Sequence, residues 1–226
     1  DNIILLCQNI DGYYNLNKIL SSIHTSRSSN LGADFKLLEK YNSNLLCLSG
    51  GRNGICGISS LNKSEDDIRS VIDKVLNIFP NRFYIEIDRT ERQDESHYNN
   101  KSLVFASEFN IPVVASNDVL FLTDSDYEAN EVKVAINQKT KLDERVNQAE
   151  YSPNQYYKSE KEMVSLFHDI PSSIENINEI VKKCNFKFPD FKYHLPKYPN
   201  PTEKDDATYF KDLCEDGLNE YLSHNS

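Results

Sequence analysis

Apolar residues follow two rhythms along this chain, and their order sketches a fold. Ile3, Ile4, Leu5 and Leu6 make an unbroken apolar run, read as a strand from Asn2 to Cys7. After Gly12, the residues Leu16, Ile19, Leu20 and Ile23 recur at three and four positions, a helical spacing that Ser26 to Asn30 breaks. Asn44 to Ser49 reads as a short buried strand, and Gly50 to Gly57 as a glycine loop. Ser64 is then placed to cap a helix running to Phe79, with acidic residues in its first turn and Ile68, Val71, Ile72, Val75 and Leu76 on one face. Pro80 ends it. Arg82 to Asp88 alternates as a strand, Ser96 to Phe109 is helical, and Ile111 to Ser116 is the next strand. Strands alternating with helices long enough to cross over imply a parallel sheet with helices outside, hence an α/β class.

Beyond Asp124 the pattern is helical, at Tyr127 to Asn137, Ser159 to Phe167 and Ile174 to Lys183. Pro189, Pro196, Pro199 and Pro201 then separate a last helix, Glu203 to Leu222, and mark the expected domain boundary. This makes residues 1–190 one domain and 191–226 a linker with the first helix of another. Only about four strands are legible, against roughly seven or eight in a closed barrel of this type. The chain opens at Asp1, without methionine, and runs directly into a strand, as expected of a piece of a longer protein.

Composition narrows the possibilities. With 226 residues and 38% hydrophobic content there is enough material for a real core. A formal net charge of −10 disfavours an autonomous nucleic-acid-binding module, because the chain as a whole repels phosphate. No apolar run reaches membrane-spanning length, and residues 1–25 lack the pattern of a signal peptide, so a cytoplasmic protein is expected. Cys7, Cys47, Cys56, Cys184 and Cys214 are scattered without a C-x-x-C pair, and read as reduced, small buried residues.

Three places carry candidate chemistry. In Phe83 to Asp88 the period of two sends Phe83, Ile85 and Ile87 to one face and Tyr84, Glu86 and Asp88 to the other. The first face should meet helices and the second a barrel lumen, with two carboxylates near the strand's C-terminal end, where α/β proteins hold ligands. The same acids have a plainer reading as ion-pair partners of Arg82, Arg89 or Arg92. Asp118 follows the next strand, and Leu120 would project to its side if the backbone stayed extended; histidine there would complete a two-ligand metal grip, but leucine cannot. Asp118 is thus a vestigial ligand or a turn cap. The loop Leu48 to Gly54 has glycines able to cradle phosphate, yet lacks the Walker lysine and the dinucleotide spacing, so a tight turn is the better reading. His24, His97, His168, His194 and His224 share no metal-binding spacing.

Taken in order, Gly12-Tyr13-Tyr14-Asn15-Leu16, Leu48-Ser49-Gly50-Gly51-Arg52, Phe79-Pro80-Asn81-Arg82-Phe83-Tyr84-Ile85-Glu86 and Pro112 to Val119 closely resemble the N-terminal PHP domain of bacterial replicative DNA polymerase III alpha subunits. The likeness continues through Tyr151-Ser152-Pro153, Ser159 to Met163, Lys183-Cys184-Asn185 and His194-Leu195-Pro196, so it covers nearly the whole chain. The last helix resembles the opening of the polymerase thumb.

The resemblance implies an incomplete PHP-type distorted (β/α)7 barrel followed by an α-helical C-terminal segment. Metal-competent relatives bind divalent ions through His, Asp, Glu and Cys. Carried over residue by residue, Asp118 matches one acid, its histidine partner is Leu120, a cysteine position is Gly51, and histidine positions align with Asn2 and Thr90. With Glu86 and Asp88 as the other vestigial candidates, no metal is expected here, since divalent-ion sites need several converging ligands. The implied function is a fragment of the DNA-directed DNA polymerase whose PHP region is a silent scaffold that docks the proofreading exonuclease (epsilon) subunit and other holoenzyme subunits. The parent uses Mg2+ on palm carboxylates downstream and binds primer–template DNA there, so no catalytic residue falls in this chain and the fragment needs no cofactor. The rival is an active metal-dependent phosphoesterase or 3′–5′ exonuclease, with Glu86, Asp88 and Asp118 as surviving ligands. A third reading is an acidic interaction module for a basic protein partner.

Overall fold

The computed structural model describes residues 1–25, 32–141, 151–190, 193, 195–196 and 198–224. The expected break at Ser26 to Asn30 and the motif residue His194 lie outside them. The chain divides into two compact units, Asp1–Phe188 and Pro189–Ser226.

In the first unit, strand β1 (Ile4–Cys7) leads into helix α1 (Ile10–Thr25), capped by Asn9, whose Oδ1 accepts from the Gly12 amide at 3.1 Å. Gly12 itself is required by close approach, because a Cβ there would sit 2.1 Å from the Asn44 carbonyl oxygen. A short helix α2 (Phe35–Tyr41) then precedes strand β2 (Leu45–Leu48). The sequence reading missed α2, which has only seven residues. Helix α3 (Glu65–Ile78) starts as expected at Ser64, whose side chain accepts from the Asp67 amide at 3.2 Å. Strand β3 (Phe83–Asp88), helix α4 (Glu95–Glu108) and strand β4 (Val113–Ser116) complete the sheet. Helices α5 (Tyr127–Gln138), α6 (Glu160–Leu166) and α7 (Pro171–Lys183) follow.

The sheet is mixed, in the order β1-β2-β3-β4, not wholly parallel as its alternation with helices suggested. β2, β3 and β4 are parallel, with Cys47 opposite Phe83 and Glu86 opposite Val114. β1 is antiparallel to β2, with Leu5 opposite Cys47. The reason is connectivity. One α-helix separates β2 from β3 and β3 from β4, so the chain reverses twice and returns parallel, whereas two, α1 and α2, intervene between β1 and β2, and three reversals, an odd number, bring the chain back antiparallel.

Phe83 and Ile85 pack on the main core with Ile68, Ile72, Val75 and Phe105, so that face meets helices α3 and α4. The opposite face departs from the expected lumen: Tyr84, with Leu46, Leu48 and Val114, is covered by Ile177 and Ile180 of α7. An amphipathic helix laid on those apolar residues removes more surface from water than an open cavity would. Only beyond Tyr84, at Glu86 and Asp88, does that face turn polar. Cys47 and Cys56 lie in the core, and burial pushes both thiols up to about 12. Cys214, by contrast, is exposed. In the second unit, helix α8 (Asp206–His224) is capped by Asp205, whose Oδ1 accepts from the Thr208 amide at 3.0 Å.

Candidate functional site

Strand alternation brings Glu86 and Asp88 to the C-terminal edge of the sheet, where the glycine loop after β2 and the turn after β4 meet them. The cleft there measures about 140 Å³, and Gly50, Gly51, Glu86, Asp88, Ser116 and Asp118 are among its walls. Glu86 Oε2 accepts from the Gly50 amide at 2.7 Å, and the Glu86 amide donates to Ser49 Oγ at 2.9 Å, which locks loop to strand. Asp88 Oδ2 accepts from the Arg52 amide at 3.3 Å. The loop's Gly50 and Arg52 amides are therefore turned toward carboxylates of the same chain.

Arg92 decides the electrostatics. Its Nη1 donates to Asp118 Oδ2 at 2.7 Å, while Nη2 lies 3.8 Å from Asp88 Oδ2. Nε donates to Thr90 Oγ1 at 2.9 Å, and Thr90 in turn donates to Glu95 Oε2 at 2.5 Å. Of the three arginines named from sequence, Arg92 alone reaches the cluster. Arg89 pairs with Asp169 at 2.6 Å, and Arg82 donates to main-chain oxygens at the other end of β3. Burial pushes Glu86 up to about 7, against a pull from the Gly50 amide and with a further push from Asp88. Asp88 rises to about 6, again mainly from burial, with Arg92 opposing. At Asp88, desolvation of the charged form outweighs the attraction of Arg92.

Two sequence expectations about this place need correction or sharpening. Asp118 has φ of 44°, in the left-handed region, so the backbone is not extended and Leu120 does not line up beside it. Instead the Leu120 amide donates to the Gln155 carbonyl at 2.9 Å, and its side chain is 43% exposed. Gly51 does face the cluster: a Cβ there would lie 2.8 Å from Asp88 Oδ2. Asn2 reaches the same loop through its backbone, its amide donating to the Asn53 carbonyl at 2.8 Å. Thr90 is fully buried behind Arg92.

Sequence reasoning missed Gln155 and Glu95. Gln155 is completely buried and its Nε2 donates to both Asp118 Oδ2, at 3.2 Å, and the Asp118 carbonyl, at 3.1 Å. No local pattern announces a contact 37 positions away. Among the described residues no group of three His, Cys, Asp or Glu side chains is arranged to hold a metal ion.

With this geometry in place, comparison with known proteins is informative: residues 1–90 match the PHP domain family. That stretch of the chain is similar to a PHP domain. It is also 34% identical over 223 residues to a DNA polymerase III subunit alpha of Pseudomonas fluorescens, covering 98% of this chain and 19% of that protein. Against the DNA polymerase III subunit alpha of Pasteurella multocida the identity is 37% over 196 residues, 86% of this chain and 17% of the relative. The subunit of Escherichia coli K12 is 35% identical over 224 residues, again 98% and 19%. The chain thus spans about a fifth of the length of these curated relatives. The PHP match covers β1 to β3 and the glycine loop, so Gly51, Glu86 and Asp88 fall inside it, whereas Asp118 and Gln155 lie beyond its end. No described helix is long and apolar enough to cross a membrane.

Proposed function

We propose that this chain is a piece of the catalytic alpha subunit of a bacterial replicative DNA polymerase, and that its PHP region is a catalytically silent scaffold. The identity of 33–37% to several alpha subunits supports the first part. Residues 1–190 form the PHP region in this reading, and 191–226 lead into the thumb. The parent is cytoplasmic, places Mg2+ on carboxylates further along, and binds primer–template DNA there.

One observation carries the silent-scaffold reading: the Arg92 guanidinium stands between Asp118 and Asp88, at 2.7 and 3.8 Å. A fixed organic cation already stands against two of the carboxylates that a metal would need, Asp88 and Asp118. The residues present do not fit a divalent-ion cluster, since Glu86, Asp88 and Asp118 each spend oxygens on donors of the chain, and the positions expected to supply histidine or cysteine hold Gly51, Thr90, Leu120 and Asn2. The network instead ties the loop after β2, the end of β3 and the turn after β4 into one block that can brace the polymerase and present a rigid face to the proofreading exonuclease subunit.

The test is metal content and 3′ cleavage measured on the complete alpha subunit. Substoichiometric zinc and manganese, with no metal-dependent cleavage, is the expected result. Stoichiometric metal accompanied by 3′ exonuclease activity would favour the active phosphoesterase and overturn the scaffold.

A further inference from the structure

On the far side of α1 from the core runs a shallow groove of about 500 Å³, lined by Tyr14, Asn17, Lys18, Ser21, Ser22 and Tyr41. No carboxylate is among these walls, although the chain has 35 acidic residues. Tyr14, Asn17, Lys18 and Ser21 are spaced by three, one and three, so they share one face of the helix. Tyr14 is 52% exposed. At the opposite wall, Lys18 Nζ lies 5.5 Å from the centre of the Tyr41 ring, which places one ammonium group at the groove beside that ring.

An exposed aromatic ring, a lysine and a row of hydroxyl and amide groups together suit a ligand that is planar at one end and anionic at the other. We propose that this groove binds a nucleotide unit, most favourably of a single strand, with the base stacked on Tyr14 and phosphate held by Lys18. Stacking platforms beside cations are how single strands are held without sequence preference. Asn17 and Ser21 supply hydrogen bonds to sugar or base edges. The net charge of −10 opposes long-range attraction, so the contact is short-ranged and is weakened further by salt. The proposal is independent of the scaffold reading, because none of these residues touches the Glu86–Asp88–Asp118 cluster.

Photo-crosslinking tests it in the full-length protein that contains this chain. An oligothymidylate carrying 5-bromodeoxyuridine is irradiated with the protein, and labelled peptides are mapped by mass spectrometry. Label is expected on the peptides holding Tyr14 or Tyr41. Tyr14→Ala and Lys18→Glu should each lower its yield at least about five-fold, the lower end of what one stacked base contributes, while Tyr14→Phe keeps it. Both positions are on the surface, and thermal melting of each variant separates lost binding from lost fold. Excess thymidine monophosphate separates the two sources: suppression of the label assigns the groove to free nucleotides, and persistence assigns it to a strand. Label confined to other peptides, or yields unchanged in both Tyr14→Ala and Lys18→Glu, overturns the proposal.

Discussion

The two ends of strand β3 solve opposite charge problems. At its start, Arg82 is a cation served by dipoles: Nη1 donates to the Asn42 and Leu45 carbonyls at 2.6 and 2.9 Å, and Nη2 to Asn42 Oδ1 at 2.9 Å. Its guanidinium also lies 5.6 Å from the Phe79 ring centre. Burial lowers its pKa, but nothing in this set of partners titrates near neutral pH. At the strand's end, Asp88 and Asp118 both lie against Arg92, while Glu86 has the Gly50 amide as partner and the other two carboxylates as neighbours. The first end is neutralised by groups that keep their state at any ordinary pH. The second is left with more carboxylate than cation, and takes up protons to compensate. The strand therefore carries a pH-independent clamp at its half-buried start and a titrating one at its fully buried end.

The largest effect expected from breaking this contrast is at Arg92. Arg92→Leu leaves Asp88, 2% exposed, without its cation, and removing one partner of a buried pair costs about 3–5 kcal/mol. Urea denaturation at pH 8 should show that loss, and the loss should shrink at pH 5, where Asp88 is protonated. Arg82→Ala is the control for the other end. Hydrogen bonds from a charged donor to neutral acceptors suggest a loss of about 2 kcal/mol. It should be the same at pH 5 and pH 8, and a pH-dependent loss would mean that the two ends are coupled.

How far the sequence carried this picture can be judged at the same two ends. The alternation in Phe83 to Asp88 is written in adjacent residues, so the pairing of Glu86 with Asp88 on one face was legible, and Asp118 followed from the strand before it. Ser64 as a helix cap was legible for the same local reason. What closes the site is not local. Arg92 was one of three arginines in reach by sequence, and only packing selects it, with Arg89 taken by Asp169 from 80 positions away. Gln155 gave no signal because a lone polar residue in a loop has no period. The antiparallel β1 was hidden by α2, whose seven residues are too few to mark a second crossing helix. Leu120 was misplaced because the left-handed turn at Asp118 is not encoded by a glycine.

A smaller effect, opposite in sign, is expected from Glu86→Gln. The folded-state pKa is raised from 4.5 to about 7, so between those values the native state holds a proton that the unfolded chain has released. Stability must then fall as pH rises through this window, and Asp88, raised from 3.8 to about 6, adds to the slope. Glutamine carries no charge to desolvate and its amide oxygen can still accept from Gly50. The variant should gain about 1–2 kcal/mol at pH 8, gain little below pH 4.5, and flatten the stability profile between them. An unchanged slope would show that Glu86 is ionised throughout, and would move the proton to Asp88.

The smallest effect is at Gly51, and it distinguishes backbone from carboxylate as the source of the loop's rigidity. Gly51 has φ of 53°, where an added Cβ costs about 1 kcal/mol. That Cβ would also stand 2.8 Å from Asp88 Oδ2, a side chain held by the Arg52 amide and so unable to swing away freely. Gly51→Ala should therefore lose about 1 kcal/mol at pH 5 and somewhat more at pH 8, because crowding the Arg52 amide away from Asp88 matters only while the carboxylate is charged. An equal loss at both pH values would confine the cost to the turn, and would show that Asp88 relies on Arg92 instead of the glycine loop for its compensation.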